Sequence, residues 1–375
     1  MRPARRGSYA TEARAGGLIW PDPRPLTLPP STTHPPRAPD PGPISVVLCT
    51  WNGARWLAEL LRSLSDQVRP PDELIVQDDD SDDETVGMIE QFADGAAFPV
   101  RLERNASRLG STRNFGVALG RARGEVVALA DQDDLWYPTK LARLSEEFAA
   151  DPTVTMVFSD ADLIDEDGHG LDRRLWSTRM VGRALYARSV VSVRDFARRP
   201  LTTGCTMAVR RRAVEAALPL PHQLDHPDVP LRHDRWLSLV AAAVGTVRTL
   251  PEPQLAFRVH PAQETGVLID GERRRAFGRA ARGVMAGTSS VEEHEVRAEQ
   301  LDAAAQRADL LGDFESARVL RTIAGHHQHR AAVSGGRAPL RAVAAEVRHG
   351  RYGDDRFAAA AAAADVVRVA RSRWT

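Results

Sequence analysis

Net charge is missing from this chain: Lys+Arg and Asp+Glu both number 50. That balance gives no basic footprint for a general nucleic-acid binder. Cysteine is nearly absent, and Cys49 and Cys205 form neither a disulfide framework nor a thiolate metal pattern, which fits a reducing compartment. No apolar run approaches the ~20 residues that span a bilayer, and the basic opening residues lead into no apolar signal-peptide core. The expectation is a cytoplasmic protein whose closest approach to lipid is peripheral, at the inner face of a membrane. No Gly-x-Gly-x-x-Gly follows the first apolar run, which disfavours a nicotinamide dehydrogenase, and no phosphate-binding P-loop is present. No internal repeat is evident.

Present instead is an ordinary apolar share of 43%, enough for a real core. Residues 1–43 are rich in Pro, Arg and Ser, with Pro21, Pro23, Pro25, Pro29 and Pro30 crowded together. Such a segment buries too little apolar surface to offset ordering and is expected to be disordered. From Ile44 the texture changes. Strands are predicted over 44–49, 74–76, 100–102, 126–130 and 154–158. Helices alternate with them, marked by Trp56, Leu57, Leu60, Leu61 and Leu64, then Val86, Met88, Ile89 and Phe92, then 114–119, then Leu141, Leu144 and Phe148. The rhythm predicts an α/β domain over 44–270, Rossmann-like, with a mostly parallel central sheet and flanking helices. After Asp162 the alternation loosens, and 163–200 reads as a long loop with some helix, of the sort that covers a substrate. Residues 206–209 read as a strand, 234–244 as an amphipathic helix, and 246–250 and 255–259 as two late strands. Residues 271–375, rich in Ala, Arg and Glu, are expected to form a helical C-terminal extension that includes the alanine run 358–364.

Three predicted strands end in unusual chemistry. Residues 126–130 run directly into Asp131-Gln132-Asp133-Asp134, three carboxylates in four positions. Carboxylates packed that closely repel unless a cation or solvent relieves them. Hard oxygen ligands on one short loop suit Mg²⁺ or Mn²⁺, which usually hold a substrate's phosphates. The competing reading is a solvated acidic turn ahead of the next helix. The first strand runs into Thr50-Trp51-Asn52 and the second into Asp78-Asp79. In a parallel sheet these ends share one edge, the edge at which open α/β sheets bind ligands. There Trp51 could offer a face to a base, Asp79 accept from the imide N–H of uracil or thymine, Asp131 hold a ribose, and Asp133 a metal on a diphosphate. Taken singly, Trp51 could equally be a turn aromatic packed on the core, and residues 78–83 a cluster capping a helix.

In order and spacing these pieces resemble the inverting family 2 glycosyltransferases of GT-A fold. The resemblance runs from Ile44 to about Ala161. It is carried by Ser45-Val46-Val47-Leu48-Cys49-Thr50-Trp51-Asn52 and by Leu74-Ile75-Val76-Gln77-Asp78-Asp79-Asp80-Ser81-Asp82-Asp83-Glu84-Thr85. Asn105-x₄-Gly110-x₂-Arg113-Asn114-x-Gly116 and Asp131-Gln132-Asp133-Asp134 complete it. The wording Asp-Gln-Asp-Asp-Leu-Trp is most similar to bacterial rhamnosyltransferase-like members. The resemblance implies a donor site built from Thr50, Trp51, Asn52, Asp79, Arg113 and Asp131, with the base on Asp79, the ribose on Asp131 and the metal on Asp133. Asp80 stands where the family usually has Gly, which adds a charge to that loop. Downstream, Gly204-Cys205-Thr206-Met207-Ala208 resembles the acceptor-side loop. His233-Asp234-Arg235-Trp236 resembles the acidic motif whose Asp is the base, and Arg258-Val259-His260 the late Arg-x-His element near the diphosphate.

The activity so implied is transfer of a sugar from a UDP- or dTDP-sugar, dTDP-rhamnose included, to a glycan or lipid-linked acceptor with inversion, assisted by Mg²⁺ or Mn²⁺, as in cell-envelope polysaccharide synthesis. Inverting transfer is a single displacement, so one carboxylate must take the acceptor hydroxyl's proton, and the leaving nucleoside diphosphate needs cationic stabilisation. Asp234 could otherwise cap its helix. His260 could ligate metal, contact diphosphate or merely end a strand before Pro261, and Arg258 could be a surface strand residue. The Arg-rich stretch 273–282 could rest on anionic lipid, or belong to a helical cap or a dimerisation element of a homo-oligomer. A sugar nucleotidyltransferase would carry a Gly/Arg/Lys-rich loop in place of Thr50-Trp51-Asn52-Gly53. A response-regulator receiver leaves Asp131-x-Asp133 unexplained. The non-enzymatic alternative is a degenerate GT-A-like binding module in a glycan assembly complex, against which the intact Asp79, Asp131, Asp133 and Asp234 argue.

Overall fold

The computed structural model describes residues 40–178, 190–226, 229–263 and 291–350, together with 352, 362, 363, 365, 366 and 369. The expectations for residues 1–39, for 179–189 of the covering loop, for the basic stretch 273–282 and for most of the alanine run fall outside the described residues.

Strands β1 (Ile44–Thr50), β2 (Glu73–Asp78), β3 (Val100–Arg104) and β4 (Val126–Asp131) lie parallel in the order β3-β2-β1-β4. Helices α1 (Ala54–Ser65), α2 (Thr85–Gly95) and α3 (Ser111–Leu119) are the crossovers between them. The sheet continues through β5 (Leu135–Trp136), β6 (Val154–Ile164), β7 (Gly170–Arg174), β8 (Val190–Val191), β9 (Met207–Arg210) and β10 (Thr246–Arg258). Its full order is β3-β2-β1-β4-β9-β6-β10-β5, with β7 on β6 and β8 on β10.

Alternation along β1 sorts the core into two layers, because successive side chains leave a strand on opposite faces. Ile44, Val46 and Leu48 join Leu57, Leu60 and Leu64 of α1, Ile89 of α2, and Leu141, Leu144 and Phe148 of α4 (Lys140–Ala150). Val47 points the other way, into a cluster with Phe115 and Leu119 of α3. That second face is covered by α5 (Leu175–Thr178), α6 (Val193–Arg198), α7 (Arg211–Ala217) and α8 (Arg232–Val244), through Trp176, Phe196, Val214 and Trp236. Helices α9 (Val291–Leu310) and α10 (Phe314–Ser334) add Ala298, Leu301, Ala305, Ala317, Leu320 and Ala324 to the same cluster, and α11 (Leu340–Arg348) follows them. The result is a mixed α/β fold with a mostly parallel central sheet, helices on both faces and helices at the C-terminal end.

Three details differ from the sequence reading. The two late strands are one, β10, whose register against β6 shifts around Pro253. Pro251 and Pro253 supply no N–H to a ladder, and prolines survive inside a strand only at such irregularities. β6 runs on to Ile164 and folds back through β7, so the start of the supposed covering loop is sheet. β9 is inserted antiparallel between β4 and β6.

Candidate functional site

Parallel pairing fixes which residues meet at the sheet edge. Thr50 lies level with Asp78, and Cys49 level with Asp131. β10 runs parallel to β6 and delivers Arg258 and then His260 to the same edge. The chain enters antiparallel β9 from that edge through the 3₁₀ turn Gly204–Thr206. With the first turn of α8, these segments enclose a cavity of about 350 Å³, within the range of small-molecule sites. Thr50, Trp51, Asn52, Asp79, Asp131, Asp133, Asp234 and His260 all line it, whereas Arg113 and Arg258 do not.

One wall is stitched by its own side chains. Asp78 is fully buried and accepts from the Thr50 hydroxyl (2.8 Å), the Ser81 N–H (2.9 Å) and the Ser81 hydroxyl (2.5 Å). Asp79 beside it accepts from the Asn105 side-chain amide (2.8 Å) and from the backbone N–H groups of Leu109 (2.7 Å) and Gly110 (2.8 Å). A carboxylate has about four acceptor positions, so three donors leave one for a ligand in the cavity. Asp80 adopts φ +65 and pairs with Arg104 at 2.7 Å. That left-handed conformation favours glycine, so an aspartate here is tolerated rather than preferred. Asn52 exchanges two hydrogen bonds with Asp82 (2.7 and 3.0 Å), which commits its amide to the turn. The Trp51 N–H donates to Gln132 Oε1, and Gln132 Nε2 donates back to the Trp51 carbonyl, both at 2.9 Å. A Cβ on Gly53 would stand 2.2 Å from Gln132 Oε1, so this clip needs glycine there. The Trp51 ring is 41% exposed and not packed on the core. The guanidinium of Arg108 lies 3.3 Å from its centroid, a cation–π contact.

The acidic turn after β4 divides its carboxylates between cavity and interior. Asp133 Oδ2 lies 2.8 Å from His260 Nε2, and the His260 ring packs on Trp56 with centroids 4.2 Å apart. His260 Nδ1 is buried and has no partner among the described residues. Burial, then the charge of Asp133, push the Asp131 carboxyl up to about 7, with a smaller push from Asp234 and a pull down from the Cys205 thiol. Asp134 faces inward and is fully buried; burial, then the charges of Asp133 and Asp131, push it well above the usual carboxylate range. A turn so crowded with carboxylates is short of positive charge. Asp133 and His260 present adjacent oxygen and nitrogen ligands to an open cavity, which fits a divalent cation that keeps positions for phosphate and water. Asp131, Asp134 and Cys205 also place ligand atoms within 4.8 Å of one another. Asp134 and Cys205 are sealed from the cavity, however, and a thiolate suits softer metals.

Two cationic residues of the sequence reading are engaged elsewhere. Arg258 is 1% exposed. Its guanidinium pairs with Glu59 (2.6 Å) and donates to the carbonyls of Asp133 (2.8 Å) and Glu166 (3.2 Å), while its N–H donates to Asp134 (3.1 Å). It is a buried brace behind the acidic turn and not a surface strand residue. Arg113 pairs with Asp225 at 2.6 Å outside the cavity. The cavity's own cations include Arg108 and Arg232. Arg108 stood at an unread position of the Asn105-x₄-Gly110 spacing, and nothing local marks it. Gln132 entered the sequence reading only within the wording Asp131-Gln132-Asp133-Asp134, with no role of its own.

The opposite wall is formed by α8 and the 3₁₀ turn. Asp234 sits in the first turn of α8, and its Oδ1 accepts the N–H of the next residue, Arg235, at 2.7 Å. His233 stacks on Phe115 with centroids 3.9 Å apart. A Cβ on Gly204 would approach His233 Nε2 to 3.1 Å and Asp234 Cβ to 3.9 Å, so glycine keeps this side open. Asp160 and Asp162 do not line the cavity. Asp160 accepts the Trp176 N–H (2.9 Å), and Asp162 accepts from the Tyr137 hydroxyl (2.8 Å).

Residues 45–217 match the family described as glycosyl transferase family 2. An uncharacterized glycosyltransferase from Nostoc is 28% identical over 219 residues, 58% of this chain and 65% of its own. TuaG of Bacillus subtilis, which carries a provisional name as a teichuronic acid biosynthesis glycosyltransferase, is 27% identical over 201 residues, 52% of this chain and 71% of its own. The chain thus spans about two thirds of these relatives. Over 93 residues, 24% of this chain and 16% of the other, it is 39% identical to TarS of Staphylococcus aureus, a poly(ribitol-phosphate) β-N-acetylglucosaminyltransferase. A crystal structure of TarS residues 1–349 with UDP-GlcNAc superposes over 88% of this chain and 92% of that one, with a TM-score of 0.52 at 16% identity, a likeness of fold. Among the described residues no helix is long and apolar enough to cross a membrane. Residues 45–217 thus match the glycosyl transferase family 2 in sequence, and the chain is like TarS in fold.

Proposed function

We propose that this protein transfers a sugar from a nucleoside diphosphate donor of the UDP or dTDP type to a glycan or lipid-linked acceptor, with inversion and with the help of a divalent cation. The observation that carries the reading is the cavity itself, with Asp79, Asp131 and the Asp133–His260 pair on one side and Asp234 on the other. Asp79 keeps an acceptor position for the imide N–H of a pyrimidine, Trp51 and Arg108 offer a stacked platform, and Asp131 holds the ribose. Asp133 and His260 hold Mg²⁺ or Mn²⁺, which when bound neutralises charge building on the leaving diphosphate. Arg258 braces the turn from behind. Asp234 takes the proton of the attacking hydroxyl, and the open wall at Gly204 admits the acceptor. In a single displacement the acceptor oxygen bonds to the anomeric carbon as the bond to the diphosphate oxygen breaks, and Asp234 leaves with the proton.

For the donor sugar, the wording Asp131-Gln132-Asp133-Asp134-Leu135-Trp136 favours dTDP-rhamnose, whereas TarS is named for N-acetylglucosamine. A cell-envelope polymer is the proposed acceptor class; TuaG is named for teichuronic acid biosynthesis and TarS for poly(ribitol-phosphate). The test is donor hydrolysis across a panel of UDP-, dTDP- and GDP-sugars, with Mn²⁺, with Mg²⁺ and in excess EDTA. The expected outcome is cleavage of one pyrimidine nucleotide sugar, abolished by EDTA. Full turnover in EDTA overturns the metal assignment, and no turnover of any donor under any condition favours the binding-module alternative.

A further inference from the structure

The C-terminal helices reach the segment that delivers Asp234, through a side chain the chemistry above does not use. Between α7 and α8 the chain passes through a 3₁₀ turn, His222–Asp225, and later through Val229, Pro230 and Leu231. Leu224, Val229 and Leu231 are buried. A segment outside any sheet ladder must place its backbone polar groups elsewhere. The Leu231 N–H donates to the Leu224 carbonyl at 3.1 Å. Two further carbonyls are met by α9. Gln300 is 1% exposed, and its Nε2 donates to the Gln223 carbonyl (3.0 Å) and to the Val229 carbonyl (2.8 Å). About two helical turns further along α9, Arg307 donates to the carbonyls of Ala216 (2.6 Å), Leu218 (2.8 Å) and Pro219 (3.3 Å). From the other side, Arg113 of α3 pairs with Asp225.

A glutamine amide carries two N–H groups, and these two carbonyls use both. One nitrogen thus ties the 3₁₀ turn to the residues just ahead of α8. The buried neighbours of Gln300 on α9, Leu301 and Ala304, are apolar. A methionine at 300 would pack among them but take the donor away from both carbonyls. Asp234 lies in the first turn of α8, so where that helix begins decides how far its carboxylate extends into the cavity.

We propose that Gln300 is a positioning residue for Asp234: by tying the Gln223 and Val229 carbonyls together it fixes the segment that enters α8, and through it the place of the Asp234 carboxylate. The C-terminal helices are then a working part of the site and not only a cover for the sheet. The proposal rests on the reading of Asp234 as the base; the hydrogen bonds of Gln300 do not.

The experiment is a double-mutant cycle on the full chain with Gln300→Met, Asp234→Asn and the pair. Its readout is hydrolysis, in Mn²⁺, of the nucleotide sugar that the donor panel selects, with water as the acceptor that the base must deprotonate. Gln300→Met should lower that rate roughly ten- to a hundredfold, the scale of loss when a reacting group is misplaced by about 1 Å. UDP affinity in Mn²⁺, read by calorimetry, should stay at the wild-type value. In the Asp234→Asn background the same change should cost less than about twofold, because the group it positions is already gone. Hydrogen exchange at Leu231 and the first turn of α8 should speed up in Gln300→Met, while amides of β1 to β4 keep their wild-type rates. Gln300→Asn, shorter by one methylene, gives the same readouts where Gln300→Met does not fold. Unchanged hydrolysis by the Gln300 variant, or equal losses in the two backgrounds, overturns the proposal. So does UDP affinity lost in step with hydrolysis, since the defect is then general. Normal hydrolysis by Asp234→Asn alone is a different failure: it removes Asp234 as the base, and the proposal falls with that reading.

Discussion

The two walls of the cavity are built in different ways. On the side proposed for the donor, several polar groups have a structural duty as well. Asp78 and Asp79 between them accept six hydrogen bonds, Asn52 and Gln132 are clipped to neighbouring turns, and Arg258 braces the acidic turn from below. On the side proposed for the acceptor, Asp234 accepts its neighbour's N–H, and the absent side chain at Gly204 leaves space. On the proposed reading, the wall that places a nucleotide and a cation is the rigid one, because misplacement there is costly. The wall proposed to admit the acceptor then needs one base and room. Donor-side substitutions should therefore disturb binding, stability and turnover together, and acceptor-side ones turnover alone.

The largest effect that follows is at Asp133. Asp133→Ala should lower transfer by roughly 10²–10³-fold or more and remove the Mn²⁺-dependent part of nucleotide affinity in calorimetry. Unchanged Mn²⁺ dependence would separate the cation from this carboxylate. Next is Asp79→Ala, which removes a charged acceptor worth roughly 1.5–3 kcal/mol, or about ten- to a hundredfold in UDP or dTDP affinity. It should also lower the melting temperature, since Asn105, Leu109 and Gly110 lose their shared acceptor. Purine and pyrimidine diphosphates binding equally well to the wild type would contradict its role in base choice.

Smaller effects sharpen the contrast. The Asp131 carboxyl is raised to about 7, first by burial and then by Asp133. The folded chain therefore holds that proton more tightly than the unfolded one. Its contribution to stability is fully present below about pH 4 and is lost as pH rises through about 7. Asp131→Asn should flatten this slope and raise the melting temperature of the metal-free protein at pH 8 by about 2–6 °C, at the expense of activity. A steeper slope, or a fall at pH 8, would contradict the sign. Smallest is Gly204→Ala, whose Cβ would meet His233 at 3.1 Å. It should raise the acceptor KM a few-fold and leave donor hydrolysis and melting temperature nearly unchanged.

The same asymmetry decides what could be read from the chain. The proposed donor wall is written in runs: Ser45 to Asn52, Leu74 to Thr85 and Val126 to Asp134 each combine a buried strand with its polar end, and period and order suffice to bring Thr50, Asp79 and Asp131 together. Long-range partners were not legible. Glu59, which engages Arg258, lies 199 positions away, and Lys140 meets the Cys205 carbonyl across 65. Nothing local distinguishes an arginine bound for a diphosphate from one locked behind a turn. The late strands were split in two because Pro251 and Pro253 interrupt the pattern, although the bulged β10 runs through them. Asp234 was singled out through the motif His233-Asp234-Arg235-Trp236, because one carboxylate at a helix start is otherwise indistinguishable from a cap.

Asp234→Asn tests the division of labour most directly, because it keeps the side chain's shape while removing the proton acceptor. Calorimetric titration of the variant with UDP or dTDP and Mn²⁺, beside its rate of sugar transfer, should give near wild-type nucleotide affinity with transfer reduced by at least about a hundredfold. Normal transfer by the variant would leave Asp234 no more than a helix cap, and loss of nucleotide binding together with activity would place it in the donor wall.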